Sequence, residues 1–468
     1  MKRIALVFIM IFTCVYIDAQ DSFYGTGLLP DDGTYDQLPR KTELLTRDYT
    51  VIPSQYSLMK YCPEVKSQSH YGTCTAWATA YAARTVAEAI KWGWTDKVKI
   101  TQEAFSPLFV YAQIKDKGDN DCQVGSNIYK ALQLMKDKGV VKYSSFNALC
   151  ANYINSELLR MGEEYKIDDF FTLFSMMLTD GNEKIQKVKK AISEDCPVII
   201  AMHLPSSFYS AKENWDGIDV NPAKHGYHAM CVIGYDDKRN GGSFQIMNSW
   251  GTNWGNNGFV WVRYNDFAKY VDQAYELYVK KNIIPKPSPK PIVQNNLSGE
   301  ITLQLATGER MVPHFNYRSR SYRIADEYIS GTRYRIYISN NQPAYVYVIG
   351  SDIRNNVSKV FPPKEGISAA LTYKSNHIAI PDEKYYVEMD NNRGTDYMCV
   401  LYSKEALNIN DIISKIKAAE GSFYEKVKTV LGDKLAEYQD IRYIINNMGF
   451  GAITTKAVVP IFVEITHI

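Results

Sequence analysis

What this chain lacks bounds it first. Its 468 residues carry a formal net charge of only +2, and no dense run of lysine or arginine stands anywhere in the sequence. Binding to nucleic acid or to an acidic membrane surface rests on a concentrated positive field, so neither partner is expected. Beyond the first twenty residues no apolar stretch is long enough to cross a bilayer, and no membrane span is expected. Internal repeats and low-complexity tracts are absent apart from one proline-rich stretch. His225 stands three residues before His228, but no further metal-type ligand follows at regular spacing; His70 and His225 read as polar loop residues, and neither a metal nor a cofactor is expected.

What is present begins at the N-terminus. Lys2-Arg3, an apolar run from Ile4 to Ile17 and then Asp18-Ala19-Gln20 predict a signal peptide over residues 1–20, hence a secreted or periplasmic protein. Cys14 as a lipid-acylated residue would give an anchored form, but Phe12-Thr13 is a poor lead-in for that processing. Export leaves Cys62, Cys74, Cys122, Cys150, Cys196, Cys231 and Cys399, an odd set in a compartment that permits disulfides. At least one thiol therefore stays unpaired within the chain. Cys196 and Cys231, beside apolar strand residues, read as buried thiols.

The length suggests two or three domains. Residues 21–50 are polar, turn-rich and without a period, and are expected to form a short, loosely ordered extension. Over residues 51–281 helical patterns (Cys74 to Ile90, Ser126 to Lys138) come first. Strand-like runs follow at Pro197 to Met202, His228 to Tyr235, Gly242 to Met247 and Phe259 to Tyr264, which predicts an α+β domain with segregated halves. Residues 282–296 contain Pro285, Pro287, Pro289 and Pro291 in alternation, which holds the backbone extended and marks a linker. Residues 297–468 alternate Tyr, Val and Ile as strands do, with a helical insertion from Ile409 to about Tyr438, so a mostly β domain is expected.

The stretch Gln68-Ser69-His70-Tyr71-Gly72-Thr73-Cys74-Thr75-Ala76-Trp77 places a thiol at the start of an alanine-rich helix. Unpaired N–H groups and the positive end of the helix dipole favour thiolate there, which makes Cys74 a candidate nucleophile; the plainer reading is a small apolar thiol packed under the helix. Nucleophilic catalysis by a thiol also needs a base, a group to orient it, and donors for an oxyanion. His228 opens one strand-like run and Asn248 ends the next. An amide oxygen can accept from the histidine N–H and fix its tautomer. Gln68, six residues before Cys74, can bring an amide N–H₂ to the oxyanion alongside the Cys74 N–H.

In this order of residues, from about Ile52 to Lys280, the chain resembles the papain-like cysteine peptidases: Gln68 before Cys74, then the histidine strand, then Asn248-Ser249-Trp250-Gly251 followed by Trp254-Gly255. The resemblance implies a two-lobed fold with one helical and one β lobe. It implies Cys74 as nucleophile, His228 as base and acid, Asn248 as orienter and Gln68 as oxyanion donor. Trp250 would cover the His–Asn bond and border the leaving-group side, and Gly125, in Cys122-Gln123-Val124-Gly125, would pair its backbone with substrate. The segment His203 to Tyr227 would wall the pocket for the substrate's second residue.

Departures accompany the match. Tyr71 and Thr75 stand where the family signature has a cysteine and an aromatic residue. The family partners of the cysteines matching Cys122 and Cys150 are missing, so these two are expected to bond to each other, closing a loop worth roughly 3.5 kcal/mol. The family's long helical propeptide has no room in the thirty residues before the matched domain, leaving an enzyme without such an inhibitor or one restrained by its extension and second domain. Tyr334 to Asp352 resembles an uncharacterised β-rich domain appended to secreted bacterial enzymes, which would target or present the enzyme to an unidentified partner or surface. The function implied is hydrolysis of peptide bonds in a peptide or protein substrate through an acyl-thioester. The alternatives are a catalytically silent peptide- or partner-binding surface protein, and a transacylase using the same thiol.

Overall fold

The computed structural model describes residues 24–41, 52–218, 226–279, 296–363, 366–371, 378–381, 385–445 and 447–468. The predicted signal peptide with Cys14, His225 and the prolines of the linker lie outside the described residues.

The alanine-rich stretch forms one unbroken helical run, Cys74–Ala76, Trp77–Arg84 and Thr85–Trp92, ended by Gly93 in the left-handed conformation. Its middle section is wound in π form, a widening that helices tolerate mostly at functional sites. Small side chains let it sink into the core: Ala76, Ala80, Ala83 and Val86 have no exposed surface. The charges that sink with it are paired, Arg84 Nη1 lying 2.6 Å from Glu88 Oε2. Helices Pro107–Ile114 and Ile128–Asp137 pack beside it to form the helical lobe.

The β lobe is an eight-stranded sheet. In spatial order its strands are Asp169–Thr172, Val271–Tyr278, Val198–Leu204, Gly226–Asp236, Ser243–Met247, Phe259–Arg263 and Asn214–Trp215, with Gln55–Ser57 added against Gly226–Asp236. The start of the alanine-rich helix packs on the strand Gly226–Asp236, so His228 and the thiol approach each other from the two lobes. The four strands expected between 197 and 264 all form, within two residues at each end.

The second domain has two sheets, of seven and six strands, sharing a core of residues such as Ile301, Ile336, Val346, Val348, Val400 and Ile461. Alternation sets the division: Val346 and Val348 face that core, while Tyr345, Tyr347 and Ile349 face the opposite side. The helical insertion covers that other side, but as two helices, Ile409–Ala418 and Phe423–Leu431, instead of one. Gly421 at φ +103° breaks the run, and Ser422 starts the second helix with a capping box to Glu425.

The expectation of a loosely ordered N-terminal extension is corrected for its described part. Tyr35 is fully buried and its hydroxyl donates to the carbonyls of Phe174 and Ala274, 2.8 and 3.2 Å away. Lys41 Nζ lies 2.5 Å from Glu276 in the sheet. Between them Arg40 joins the domains: Thr172 N–H donates to Pro39 O and Lys41 N–H to Thr172 O. On its other side Arg40 N–H donates to Gly366 O and Ser368 N–H to Arg40 O. These partners are more than a hundred residues away, which local periodicity cannot register.

Candidate active site

Five of the six residues singled out in the sequence meet between the lobes, and the sixth lies on their rim. His228 Nε2 is 2.7 Å from Asn248 Oδ1. The Ser249 N–H donates to the same oxygen at 2.7 Å, which fixes that end of the amide as the acceptor. The neutral imidazole therefore carries its proton on Nε2, and Nδ1, which has no hydrogen-bond partner among the described residues, keeps its lone pair. Cys74 sits at the helix start, where Ala229, Thr75 and its own backbone N–H favour the thiolate against the effect of burial. Ala229 is the residue after His228, so strand and thiol are in direct register.

Gln68 is tied to the same constellation. The Ser249 hydroxyl donates to Gln68 Oε1 at 2.5 Å, and one Nε2–H of Gln68 donates to Tyr71 O at 2.7 Å. A primary amide has two N–H groups, so this bond uses only one of them. The Trp250 ring lies over His228, centroids 4.7 Å apart at 27°.

Electrostatics run against the sequence expectation for the thiol. Cys74 and His228 have no exposed surface. Burial pushes the Cys74 thiol up to about 11, although the surrounding N–H groups oppose it. Burial pushes His228 down to about 4, with the Asn248 bond opposing. The helix start does stabilise thiolate, but desolvation of a fully covered sulfur outweighs it, and at neutral pH this structure holds a neutral thiol beside a neutral imidazole.

The cover is the N-terminal segment Tyr24-Gly25-Thr26-Gly27-Leu28-Leu29. At one end Tyr24 stacks on Trp250 at 4.9 Å and 15°, and Trp250 Nε1–H donates to Gly25 O at 2.9 Å. Gly25 N–H donates to Ser69 O at 2.8 Å. At the other end Ser126 N–H donates to Gly27 O and Leu29 N–H donates to Ser126 O, both at 2.9 Å, with Leu28 and Ser126 paired in parallel. Leu28 N–H also reaches Tyr227 O, the residue before His228, at 3.4 Å. The segment thus crosses the cleft from Trp250 to Ser126 between the two lobes. Beside Tyr24 an open hollow of about 700 Å³ remains, lined by Ser67, His70, Trp250, Thr252 and Asn253.

Gly125 stands against this segment, but its role differs in detail from the expectation. A Cβ on it would sit 2.1 Å from Gly27 O, and its φ is +92°, so glycine is required there. Its own N–H points inward to the Tyr111 hydroxyl at 3.0 Å, and the backbone pairing in the cleft is made by Ser126. Local sequence could not separate the two neighbours. Phe208 and Tyr209 also sit elsewhere than expected: both pack on Trp250, Tyr209 stacked at 5.1 Å, so that part of the His203 to Tyr227 segment lies on the Trp250 side.

Cys122 and Cys150 form a disulfide with Cα atoms 5.6 Å apart, as expected from the unmatched pair. Cys62, Cys74, Cys231 and Cys399 are free, buried thiols, and Cys196 is half-buried. Among the described residues no group of three or more histidine, cysteine or acidic side chains is placed to hold a metal. Nor is any helix among them long and apolar enough to cross a membrane.

Residues 53–278 match the family of papain family cysteine proteases, and residues 327–406 match a domain of unknown function, DUF4384. An uncharacterised peptidase C1-like protein of Acanthamoeba polyphaga mimivirus is 25% identical over 257 residues, which is 51% of this chain and 77% of that protein. A cysteine protease of Blomia tropicalis is 22% identical over 234 residues, 49% of this chain and 66% of its own. Among solved structures, xylellain, a cysteine protease from Xylella fastidiosa, is 20% identical with a TM-score of 0.44, covering 56% of this chain and 98% of its own. Digestive procathepsin L 3 of Tenebrio molitor larval midgut is 18% identical with a TM-score of 0.40, covering 53% and 77%.

Proposed function

We propose that this protein, whose residues 53–278 match papain family cysteine proteases, hydrolyses peptide bonds through Cys74, His228 and Asn248, with Gln68 as oxyanion donor, and that it is latent as folded. The observation that carries the reading is the single hydrogen-bonded chain Gln68–Ser249–Asn248–His228 lying against the Cys74 helix start. In the reaction His228 Nδ1 takes the thiol proton as Cys74 attacks the scissile carbonyl. The oxyanion is met by the Cys74 N–H and the second N–H of Gln68. His228 then returns the proton to the leaving amine, and the acyl-thioester is hydrolysed by water that the same imidazole activates. Asn248 holds the ring in the tautomer this needs without adding charge.

Latency is supported by the polarity of the segment in the cleft. Its N-terminal end lies on Trp250, the leaving-group side in this reading, where a cleavable peptide would place its C-terminal half. A reversed backbone presents no carbonyl in register with the thiol, so the segment occupies the cleft without being cut. Export through residues 1–20 is supported by the Cys122–Cys150 bond, since such bonds persist in oxidising compartments. The second domain is assigned a targeting or presenting role toward a partner or surface.

Labelling with a peptidyl epoxide tests the reading: Cys74-dependent labelling and turnover, both lost in Cys74→Ala, are expected once the cleft is opened. An opened cleft with an intact, unreactive Cys74 across pH 5–8 would favour the silent binder.

A further inference from the structure

The loop 119–126 joins two helices of the helical lobe and supplies Ser126, whose backbone pairs with the peptide in the cleft. It is not a relaxed loop: Cys122 has φ +60° and Gly125 φ +92°. It meets the nucleophile loop through Gly72 N–H to Cys122 O at 2.7 Å, at the place where Tyr71 precludes the crosslink that a cysteine would give. What holds its shape is a pair of buried side chains that neither the sequence reading nor the mechanism uses. Asp119 and Tyr111 are each 1% exposed. Asp119 Oδ1 accepts from Gln123 N–H at 3.0 Å and Val124 N–H at 3.4 Å. Tyr111 donates its hydroxyl proton to Asp119 Oδ2 at 2.6 Å and accepts from Gly125 N–H at 3.0 Å.

Three successive backbone donors are therefore drawn inward onto one carboxylate and one phenol. The consequence is directional: with Gln123, Val124 and Gly125 N–H satisfied inside, the next residue, Ser126, turns its N–H to the cleft, and its C=O, which also accepts from the Thr75 hydroxyl at 2.9 Å, stays within reach of the peptide there. Burial disfavours the charged carboxylate, but the Tyr111 hydroxyl and the two N–H groups outweigh it and hold Asp119 ionised. Lys115 Nζ closes the network from the other side, on Asp119 O at 2.7 Å and on Cys150 O at 3.4 Å across the disulfide.

We infer that Tyr111 and Asp119 are positioning residues for peptide hydrolysis, setting the loop 119–126 so that Ser126 can pair with the backbone of a bound peptide. This rests on the peptidase reading above. Neither residue touches the reacting atoms, so their loss should weaken peptide recognition and leave the thiol's intrinsic reactivity in place.

The test uses as parent the full-length chain carrying Gly27→Val, a substitution expected to open the cleft because a Cβ there would meet Gly72, and adds Tyr111→Phe or Asp119→Asn. Cys74 is followed by peptide mapping against two reagents: iodoacetamide, which needs only the thiol, and a dipeptidyl chloromethyl ketone, which must align its backbone. The expected result in either variant is an about tenfold slower reaction with the ketone, iodoacetamide unchanged within twofold, and a raised KM for a peptide amide with kcat little altered. Asp119→Glu, which keeps a carboxylate, should recover part of the ketone rate. Equal losses with both reagents, or none with either, overturn the role. A parent that takes iodoacetamide at Cys74 but neither ketone nor peptide sinks the peptidase reading and this role together, whereas an active parent matched by its variants sinks the role alone.

Discussion

The indole N–H of Trp250 donates to the carbonyl of Gly25, 225 residues away in the chain, at 2.9 Å. Through that bond the first described residues of the protein are held on the wall of the site, and the ring of Tyr24 covers what Trp250 would otherwise show to solvent.

Expelling this segment should expose Cys74. Gly27 has φ +122°, and a Cβ there would lie 2.5 Å from Gly72 Cα, so a larger residue cannot stay in the cleft. Gly27→Val in the full-length chain is expected to raise the rate of Cys74 labelling by a peptidyl epoxide by at least about tenfold, the equivalent of about 1.4 kcal/mol. Mass spectrometry of the labelled peptide reads the result, and unchanged labelling would count against the segment as the cover.

Acid should loosen the same cover. His228 is held neutral with a value near 4 against the ordinary 6.5, so between these values the exposed imidazole binds a proton that the buried one refuses. The closed cleft therefore loses stability as pH falls through that window, by up to about 1.4 kcal/mol per unit. Amide-exchange protection of Gly25 and Leu29, corrected for intrinsic rates, is expected to be lower at pH 5 than at pH 7, and the difference should vanish in His228→Gln.

Removing the orienting amide should cost rate more than binding. Asn248→Ala deprives His228 Nε2–H of its acceptor and leaves the tautomer unfixed, and a loss of about 10- to 100-fold in kcat is expected from one buried bond to a group that becomes charged. Steady-state kinetics in the Gly27→Val background checks it; an equal kcat would remove Asn248 from the account.

The second domain packs against the first. Phe171 and Tyr278 of the first domain are packed into the cluster that holds Tyr345, Ile349 and Phe462. Truncation after Pro291 uncovers both, at a cost of about 1.5–3 kcal/mol for each side chain left exposed. The truncated chain is expected to melt lower in a thermal scan yet to retain Cys74-dependent hydrolysis once opened; a folded truncation without any turnover would contradict that division.

Much of this architecture was legible in the sequence because it is written at short range. Ala76, Ala80 and Ala83 announce a helix by spacing, and the runs around His228 and Asn248 announce strands by β-branched content. The disulfide followed from two cysteines whose family partners are missing. Long-range relations left no such trace. Tyr35 and Arg40 find partners across more than a hundred residues, so a polar, aperiodic segment looked loose when it is packed. The sign of the Cys74 shift was unreadable for the same reason: a helix start is local, but the burial that overrides it is set by packing from residues distant in the chain. Ser126 and Gly125 differ only in which way a strained loop turns its N–H groups, and that turn is set by Tyr111 and Asp119 from outside the motif.

The most direct measurement is turnover of an N-blocked peptide amide by the full-length chain in three forms: unaltered, Gly27→Val, and Gly27→Val with Cys74→Ala. A slow unaltered chain, an active Gly27→Val chain and no activity in the third form are predicted. Activity that survives Cys74→Ala, or a Gly27→Val chain that is folded, reactive at Cys74 toward iodoacetamide and still inert to peptide, would contradict the account.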